Sequence, residues 1–341
     1  YEIMPSLVGS EMCIRDSVNV ARRSDRPTIN DYIDRIVHGF VEVHGDRSYG
    51  DDRSVIAGLG QIAGQGVAIV GLGAGVGHNE DANSGSQISP EGLRKSRRLM
   101  LIASKFGLPV ISFVDTAWLA NTLDAEHRGL GYAIATATAT MLEVQSPTIA
   151  VIVGEGGSEG ALALVAADKI LMMEYATLSP ISPEGAAMLF YADQSRSQDA
   201  AEDLRLTAMD CYEMGIVDVI VPEPGEGAHE DVAQASRRLE KALLEQMAIL
   251  QNTAVARITK NRYEKYRGIG SYSRYFRRII YREVEQLQLA VAVGVEAVKK
   301  SDRIRTFTKS AKKNKGKTNE KPMHTTKPCL INTTPNTRDK A

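Results

Sequence analysis

The chain has 341 residues, 43% hydrophobic and 24% charged, with a net charge of -1. That supplies enough apolar material for a sizeable core in one large domain with tails, or in two domains. No run reaches the roughly 18 apolar residues of a membrane helix, and the three cysteines (Cys13, Cys211, Cys329) lie far apart without a CxxC, which argues against a disulfide scaffold and a cysteine zinc site and for a reducing, cytoplasmic setting.

The near-zero charge hides an asymmetry. Residues 301–341 carry 11 Lys/Arg against 3 Asp/Glu, a balance of +8, and the remaining 300 residues balance to -9. The tail's lysine, threonine, asparagine and proline content predicts disorder. No regular aromatic interleaving supports base stacking, so it reads as a solvated tail rather than a nucleic-acid arm.

In chain order, residues 1–17 do not read as native protein. The run from Pro5 to Ser17 resembles a translated library adapter and lacks the basic start and apolar stretch of a signal peptide. The natural N-terminus is therefore expected to be missing. From Thr28 the pattern turns helical, with Ile29, Ile33, Ile36, Val37 and Phe40 on one face and Gly45 as the stop. Residues 54–63 and 67–73 predict two strands joined by Gly64-Gln65-Gly66. A glycine- and asparagine-rich loop spans 71–86. Ser89-Pro90-Glu91 opens a helix, with a capping serine and proline at the first position, that runs to about Phe106 and stops at Gly107.

Residues 109–114 predict a buried strand, 124–144 a long helix and 148–153 a second buried strand. A tight glycine turn at 154–160 and a short helix at 161–167 follow. Strands are expected at 169–173 and 216–221, and an amphipathic helix at 231–250. Strands alternate with helices, which argues α/β. Paired strands before single helices suit a spiral of repeated ββα units with flanking helices. The expected organisation is a main domain over 18–252, a basic, tyrosine-bearing extension over 253–300 with a helix at 275–298, and the tail.

The most informative segment is Gly154-Glu155-Gly156-Gly157-Ser158-Glu159-Gly160-Ala161. Backbone N–H groups at a helix start lack partners, and glycine lets a ligand approach them, so such a turn can hold an oxyanion. A close-packed turn without a ligand is the competing reading. The same residues spell G-x-S-x-G, the nucleophile-elbow pattern in its strand–turn–helix context. A serine hydrolase would also need a histidine, and after Ser158 only His229 precedes the tail. No G-x-G-x-x-G, no phosphate loop and no metal-spaced histidines occur.

Four further clusters stand out: His44-Gly45-Asp46-Arg47 with Asp51-Asp52; Ser89-Pro90-Glu91-Gly92 with Arg94 and Lys95; Ser179-Pro180-Ile181-Ser182-Pro183-Glu184-Gly185; and Pro222-Glu223-Pro224 with Gly227-Ala228-His229. Singly, each suits a helix end or a turn. Their order, together with Phe113-Val114-Asp115-Thr116, Ala125-Glu126-x-Arg128-Gly129 and Gly215-Ile216-Val217-Asp218, resembles the carboxyltransferase alpha subunit of bacterial-type acetyl-CoA carboxylase. The likeness covers roughly residues 26–250.

The resemblance implies a crotonase-like fold. It implies carboxyl transfer to acetyl-CoA from carboxybiotin on a biotin carboxyl carrier protein, giving malonyl-CoA for fatty acid synthesis. It implies a carboxyltransferase beta subunit in an alpha2–beta2 assembly, with the zinc ribbon in that subunit and no metal in this chain. On the matching positions it assigns a backbone oxyanion hole to Gly160 and Ala161, beside Gly157 and Ser158. It assigns substrate contacts to Asp115, Thr116, Glu184, Gly185, Arg94 and Lys95. The chain departs from the family at Glu159, where the family has glycine; at Ala117-Trp118-Leu119-Ala120, which replaces a Pro-Gly loop; and at 75–87, which is nearly uncharged. Two other readings remain: a Ser158-dependent hydrolase or other acyl-CoA enzyme of the same fold, and a non-catalytic scaffold.

Overall fold

A computed structural model describes residues 17–73, 88–116 and 122–270. The expectations for 1–16, for the loops at 75–87 and 117–120, for a helix at 275–298 and for the tail lie outside the described residues.

After a short helical segment at 17–21, helix α1 (Ile29–Ile36) opens on a capping box. The Thr28 side chain accepts from the Asp31 N–H, and the Asp31 carboxylate accepts from the Thr28 N–H. Its buried face is Ile29, Tyr32, Ile33 and Ile36. The helix does not run on to Gly45. Val37 is already extended, Gly39 takes φ 61°, and β1 (His38–Glu42) pairs with the next strand. Phe40 continues the helical spacing by coincidence. Its ring lies over Gly58, where a Cβ would meet it at 2.5 Å.

Strands β2 (Val55–Ile62) and β3 (Gln65–Leu72) form the expected hairpin, antiparallel from Val55↔Leu72 to Ile62↔Gln65. The loop is Ala63-Gly64, both at positive φ, as a two-residue hairpin requires. Gln65 and Gly66 therefore belong to the strand rather than the turn. Helix α2 (Pro90–Phe106) ends on Gly107 in the left-handed conformation, as predicted. Ser89 sits at its N-cap, but its hydroxyl donates to Asp52 Oδ2 instead of capping the helix.

The expected helix over 124–144 is two helices, α3 (Leu123–His127) and α4 (Leu130–Glu143). Gly129, at φ 80°, breaks the run between them. Strand β4 (Val110–Thr116) lies parallel to β3 and to β5 (Thr148–Gly157). The remaining elements are α5 (Ser158–Val165), β6 (Lys169–Met173), β7 (Thr177–Ser179), α6 (Pro183–Tyr191), α7 (Ser197–Leu204), α8 (Ala208–Glu213), β8 (Val219–Val221), α9 (Val232–Gln251) and α10 (Val255–Arg267). Strand β8 is shorter than expected because the N–H groups of Ile216 and Val217 both donate to Cys211 O at the end of α8.

Among the described residues eight strands form one sheet, in the order β1-β2-β3-β4-β5-β6-β8, with β7 against the far end of β5. Beyond the antiparallel β1–β2–β3 edge the strands pair in parallel, and Thr177 of β7 adds an isolated antiparallel bridge to Thr207. Strand pairs precede a helix twice, β2–β3 before α2 and β6–β7 before α6, whereas β4 and β5 each run alone into helix. The core fills both faces of β3, β4, β5 and β6, which explains their continuous apolar runs.

Candidate functional site

The glycine segment is not the tight turn expected at 154–160. Strand β5 stays extended for ten residues, through Gly157. Its first half pairs with β6, and its last three residues pair with β7, as Glu155↔Thr177, Gly156↔Leu178 and Gly157↔Ser179. Thr116 of β4 pairs with Gly156 from the other side. The glycines serve this crowding. A Cβ on Gly156 would meet Leu178 Cδ1 at 2.9 Å, and one on Gly154 would lie 2.2 Å from Asp115 Oδ1. That same Asp115 oxygen accepts from the Glu155 N–H at 3.0 Å.

Helix α5 starts at Ser158, three residues earlier than expected, with Gly157 as N-cap and no side-chain cap. The N–H groups of residues 158, 159 and 160 therefore lack intrahelical partners, and Ala161 is the first whose N–H closes a helical turn. Gly160 and Ala161 are buried, and Glu159 is exposed.

A second helix start borders a pocket that Gly157, the N-cap of α5, also lines. Ser182 Oγ caps α6 by accepting from the Gly185 N–H at 3.0 Å, Pro183 takes the first position and Glu184 lies in the first turn. The pocket is lined by Glu155, Gly156, Gly157, Ser179, Ser182 and Pro183, among others. Arg22 reaches across from the N-terminal segment. Its Nε donates to Glu155 Oε1 at 2.6 Å and its Nη1 to Glu184 Oε1 at 2.6 Å. Burial weakens the guanidinium charge, but Glu184 and Glu155 beside it more than offset this and hold its pKa above the ordinary value. Burial alone would raise the Glu184 carboxyl, yet the Arg22 hydrogen bond holds it below the usual carboxylate range.

Asp115, Thr116, Gly157, Glu184 and Gly185 are thus gathered around the β5–α5 junction and α6. Arg94 and Lys95 neither line the pocket nor bond to residues that do. Arg94 donates to Asp46 Oδ2 at 2.7 Å, to Glu91 Oε1 at 2.9 Å and to Arg128 O at 3.0 Å. The Lys95 ammonium, almost fully buried, donates to Asp51 Oδ1 at 2.7 Å and to Asp52 O at 2.8 Å. The His-Gly-Asp-Arg, Pro-Glu-Gly and Ala-Glu-x-Arg-Gly motifs are therefore one charge network between α2, α3 and the loop after β1. Burial would raise the Asp46 carboxyl, but N–H donors from Tyr49, Ser48 and Gly50 and the Arg94 guanidinium bring it down to about 2.

A depressed carboxylate adds stability above its unfolded pKa, and that stability is lost as pH falls through the folded value. The Asp46 contribution should therefore disappear between about pH 4 and pH 2. A thermal melt of Asp46→Asn should fall less steeply than wild type over that window. Parallel curves would show that Asp46 carries no pH-linked stability.

The Pro222-Glu223-Pro224 cluster has a structural partner that sequence reasoning missed. Arg26 Nη2 meets Glu223 Oε1 at 2.6 Å, with both side chains fully buried. Arg26 also donates to Val153 O at 2.9 and 2.7 Å, just before the glycine segment. Arg22 was missed too. The only available signal was Glu155 itself, a carboxylate at the end of a buried strand that requires a cation. His229 Nδ1 is buried without a hydrogen-bond partner. Among the described residues no group of His, Cys, Asp and Glu is placed to hold a metal, and no helix is long and apolar enough to cross a membrane.

Comparison with known proteins places the chain among relatives. The family described as "Acetyl co-enzyme A carboxylase carboxyltransferase-like" matches residues 7–270. The "Acetyl-coenzyme A carboxylase carboxyl transferase subunit alpha" of Methylobacterium sp. is 42% identical over 252 residues, covering 74% of this chain and 80% of the relative. The protein of that name from Carboxydothermus hydrogenoformans is 43% identical over 256 residues, covering 74% and 79%. Among solved structures, a Pseudomonas malonate decarboxylase hetero-tetramer in complex with coenzyme A superposes with a TM-score of 0.54 at 14% identity, over 70% of this chain and 93% of that one. Transcarboxylase 12S, with methylmalonyl-coenzyme A and methylmalonic acid bound, gives 0.51 at 19%, over 66% of this chain and 43% of that one. These likenesses show the fold, which is crotonase-like.

Proposed function

The chain belongs to the acetyl-CoA carboxylase carboxyltransferase alpha-subunit family, and from that premise we propose that it carries the biotin half of a carboxyltransferase site. The reaction moves a carboxyl group from carboxybiotin, borne by a biotin carboxyl carrier protein, to acetyl-CoA, giving malonyl-CoA for fatty acid synthesis in the cytoplasm.

The observation that carries this reading is the first turn of α5. It offers unpaired backbone N–H groups, Gly160 among them, at the end of a buried strand and beside the pocket. Bound carboxybiotin supplies the carboxyl group, and its ureido oxygen gains negative charge as that group leaves. Backbone donors suit a neutral oxygen that becomes anionic, because they need no proton transfer and no reorganisation. The helix dipole adds to their field. Ser158 on this reading contributes its backbone and is not a nucleophile. Asp115 accepts from the Glu155 N–H, two residues before β5 ends, and so helps hold the strand that leads into α5.

The acetyl-CoA enolate needs a second set of donors, which we assign to a beta subunit in an alpha2–beta2 assembly. Helix α6, on the rim of the pocket, suits a subunit contact. Met188, Leu189 and Phe190 are 53%, 73% and 59% exposed, an apolar surface that water does not favour.

The test is malonyl-CoA formation by this chain with a competent beta subunit and a carboxybiotin-loaded carrier. Activity without fluorophosphonate labelling of Ser158 supports the proposal. Labelling of Ser158 with no carboxyl transfer would replace it with the hydrolase reading, and assembly without turnover would favour the scaffold.

Glu159 is the departure closest to the chemistry. It is exposed at the second position of α5. At about 4 Å in water a unit charge opposes another by about 1 kcal/mol, or roughly five-fold in rate. Replacing Glu159 by Gln should therefore raise kcat by up to about five-fold. A fall in kcat would show that this carboxylate assists the reaction.

A further inference from the structure

We propose that Arg22 is a positioning residue of this site: it ties the end of β5 to the start of α6 and balances the two carboxylates that flank the α5 oxyanion donors. The inference rests on the carboxyltransferase reading for its chemistry and on geometry alone for its structural part.

Arg22 reaches Glu155 and Glu184, 133 and 162 residues away in sequence, each at 2.6 Å. A further contact joins Nη2 to Glu184 Oε2 at 3.3 Å. The cluster is half-buried, with side-chain exposures of 31% for Arg22, 17% for Glu155 and 35% for Glu184. Both carboxylates belong to backbone that borders the pocket. Glu155 precedes Gly156 and Gly157 in β5, and Glu184 follows Pro183 in α6. Val18, one helical turn before Arg22, lines the same pocket.

A site that stabilises a developing oxyanion gains nothing from two carboxylates at its rim. With Arg22 in place the cluster carries one net negative charge, and without it two. The guanidinium is planar and forks between two acceptors, so it also sets the separation of β5 and α6, which a lysine ammonium does less well.

The experiment uses complexes of the full chain with a beta subunit, carrying Arg22→Gln, Arg22→Lys or Arg22→Gln with Glu184→Gln. Malonyl-CoA decarboxylation in the presence of biotin gives kcat and KM, and hydrogen exchange reports on 155–160 and 182–186. Arg22→Gln should lower kcat by roughly 10–100-fold with KM for the acyl-CoA within about two-fold, as a misplaced but intact site does. Arg22→Lys should recover part of the loss. The double variant restores one net negative charge and should exceed Arg22→Gln. Exchange in the two segments should rise in Arg22→Gln while α2 stays unchanged.

Wild-type kcat in Arg22→Gln, or a double variant no better than the single one, overturns the charge role. Unchanged exchange in both segments overturns the positioning role. Exchange reads out whether or not the complex turns over. A wild-type complex without turnover therefore sinks the carboxyltransferase reading and the charge role built on it, while the positioning role is still decided.

Discussion

Replacing Gly73 by alanine is expected to destabilise the protein by more than about 4 kcal/mol, or to prevent folding. Two costs coincide there. Gly73 has φ 94°, where an L side chain is strained, and a Cβ would lie 1.8 Å from the backbone oxygen of Asp115. The obstacle is backbone, so no side chain can swing away. Relief would require the ends of β3 and β4, paired at Leu72↔Val114, to part. Asp115 anchors the Glu155 N–H, so the same displacement would loosen the β5–α5 junction. Gly64→Ala is the matched control. Gly64 has φ 81°, and a Cβ there would meet nothing within 4 Å, so it should lose only the backbone term, about 1–2 kcal/mol. Thermal melts of the two variants should differ widely, and equal losses would show that the β3–β4 contact is softer than the geometry implies.

Replacing Arg262 by methionine is expected to cost about 3–5 kcal/mol, the range for removing one partner of a buried ion pair. The Arg262 side chain is fully buried and its fork meets Asp168 at 2.7 and 2.6 Å. Its other donors reach Met141 O, Leu142 O, Val144 O and Ser146 O at 2.9–3.2 Å. Met141 and Leu142 are in the last turn of α4, whose carbonyls have no intrahelical partner, and a cation there also opposes the negative end of the helix dipole. Asp168 in turn accepts from the N–H and hydroxyl of Thr148 at the start of β5. One side chain on α10 thus fastens α4, β5 and the loop before β6. At roughly 2–4 °C per kcal/mol for a domain of this size, the melting temperature should fall by roughly 6–20 °C. Adding Asp168→Asn should cost less than the two single losses combined, because the charge left behind is then gone. Strict additivity would mean that the two side chains do not act as a pair.

Much of the sheet was legible from the chain alone. Residues 110–114, 149–153 and 170–173 are short, almost wholly apolar runs between glycine, proline and charged or polar residues, and strands covered on both faces require that pattern. Gly107 and the Ser-Pro-Glu-Gly sequences marked helix ends because their preferences are local: a left-handed φ for glycine and a missing N–H for proline. The family order of short motifs carried the fold and the identity of the relatives, since those motifs survive as sequence whatever each one contacts.

The apolar strands, the helix caps and the family thus follow from local chemistry and motif order. What the glycines and the charges do depends instead on contacts made across the fold. The Gly-Glu-Gly-Gly run at 154–157 permits a turn as readily as a strand. The segment stays extended because β4 and β7 supply pairing partners on its two sides, and that sets the start of α5 at Ser158. Phe40 fits a helix by spacing, and β2 claims its strand because Gly58 leaves room for the ring. Arg94 and Lys95 resemble substrate ligands in the motif, yet they meet Asp46 and Asp51 across 48 and 44 residues. Arg22, Arg26 and Arg262 find their carboxylates across 94 to 197 residues. A charge has no periodicity that reveals its partner. Which cation meets which carboxylate is settled when the sheet brings distant segments together and excludes water from between them.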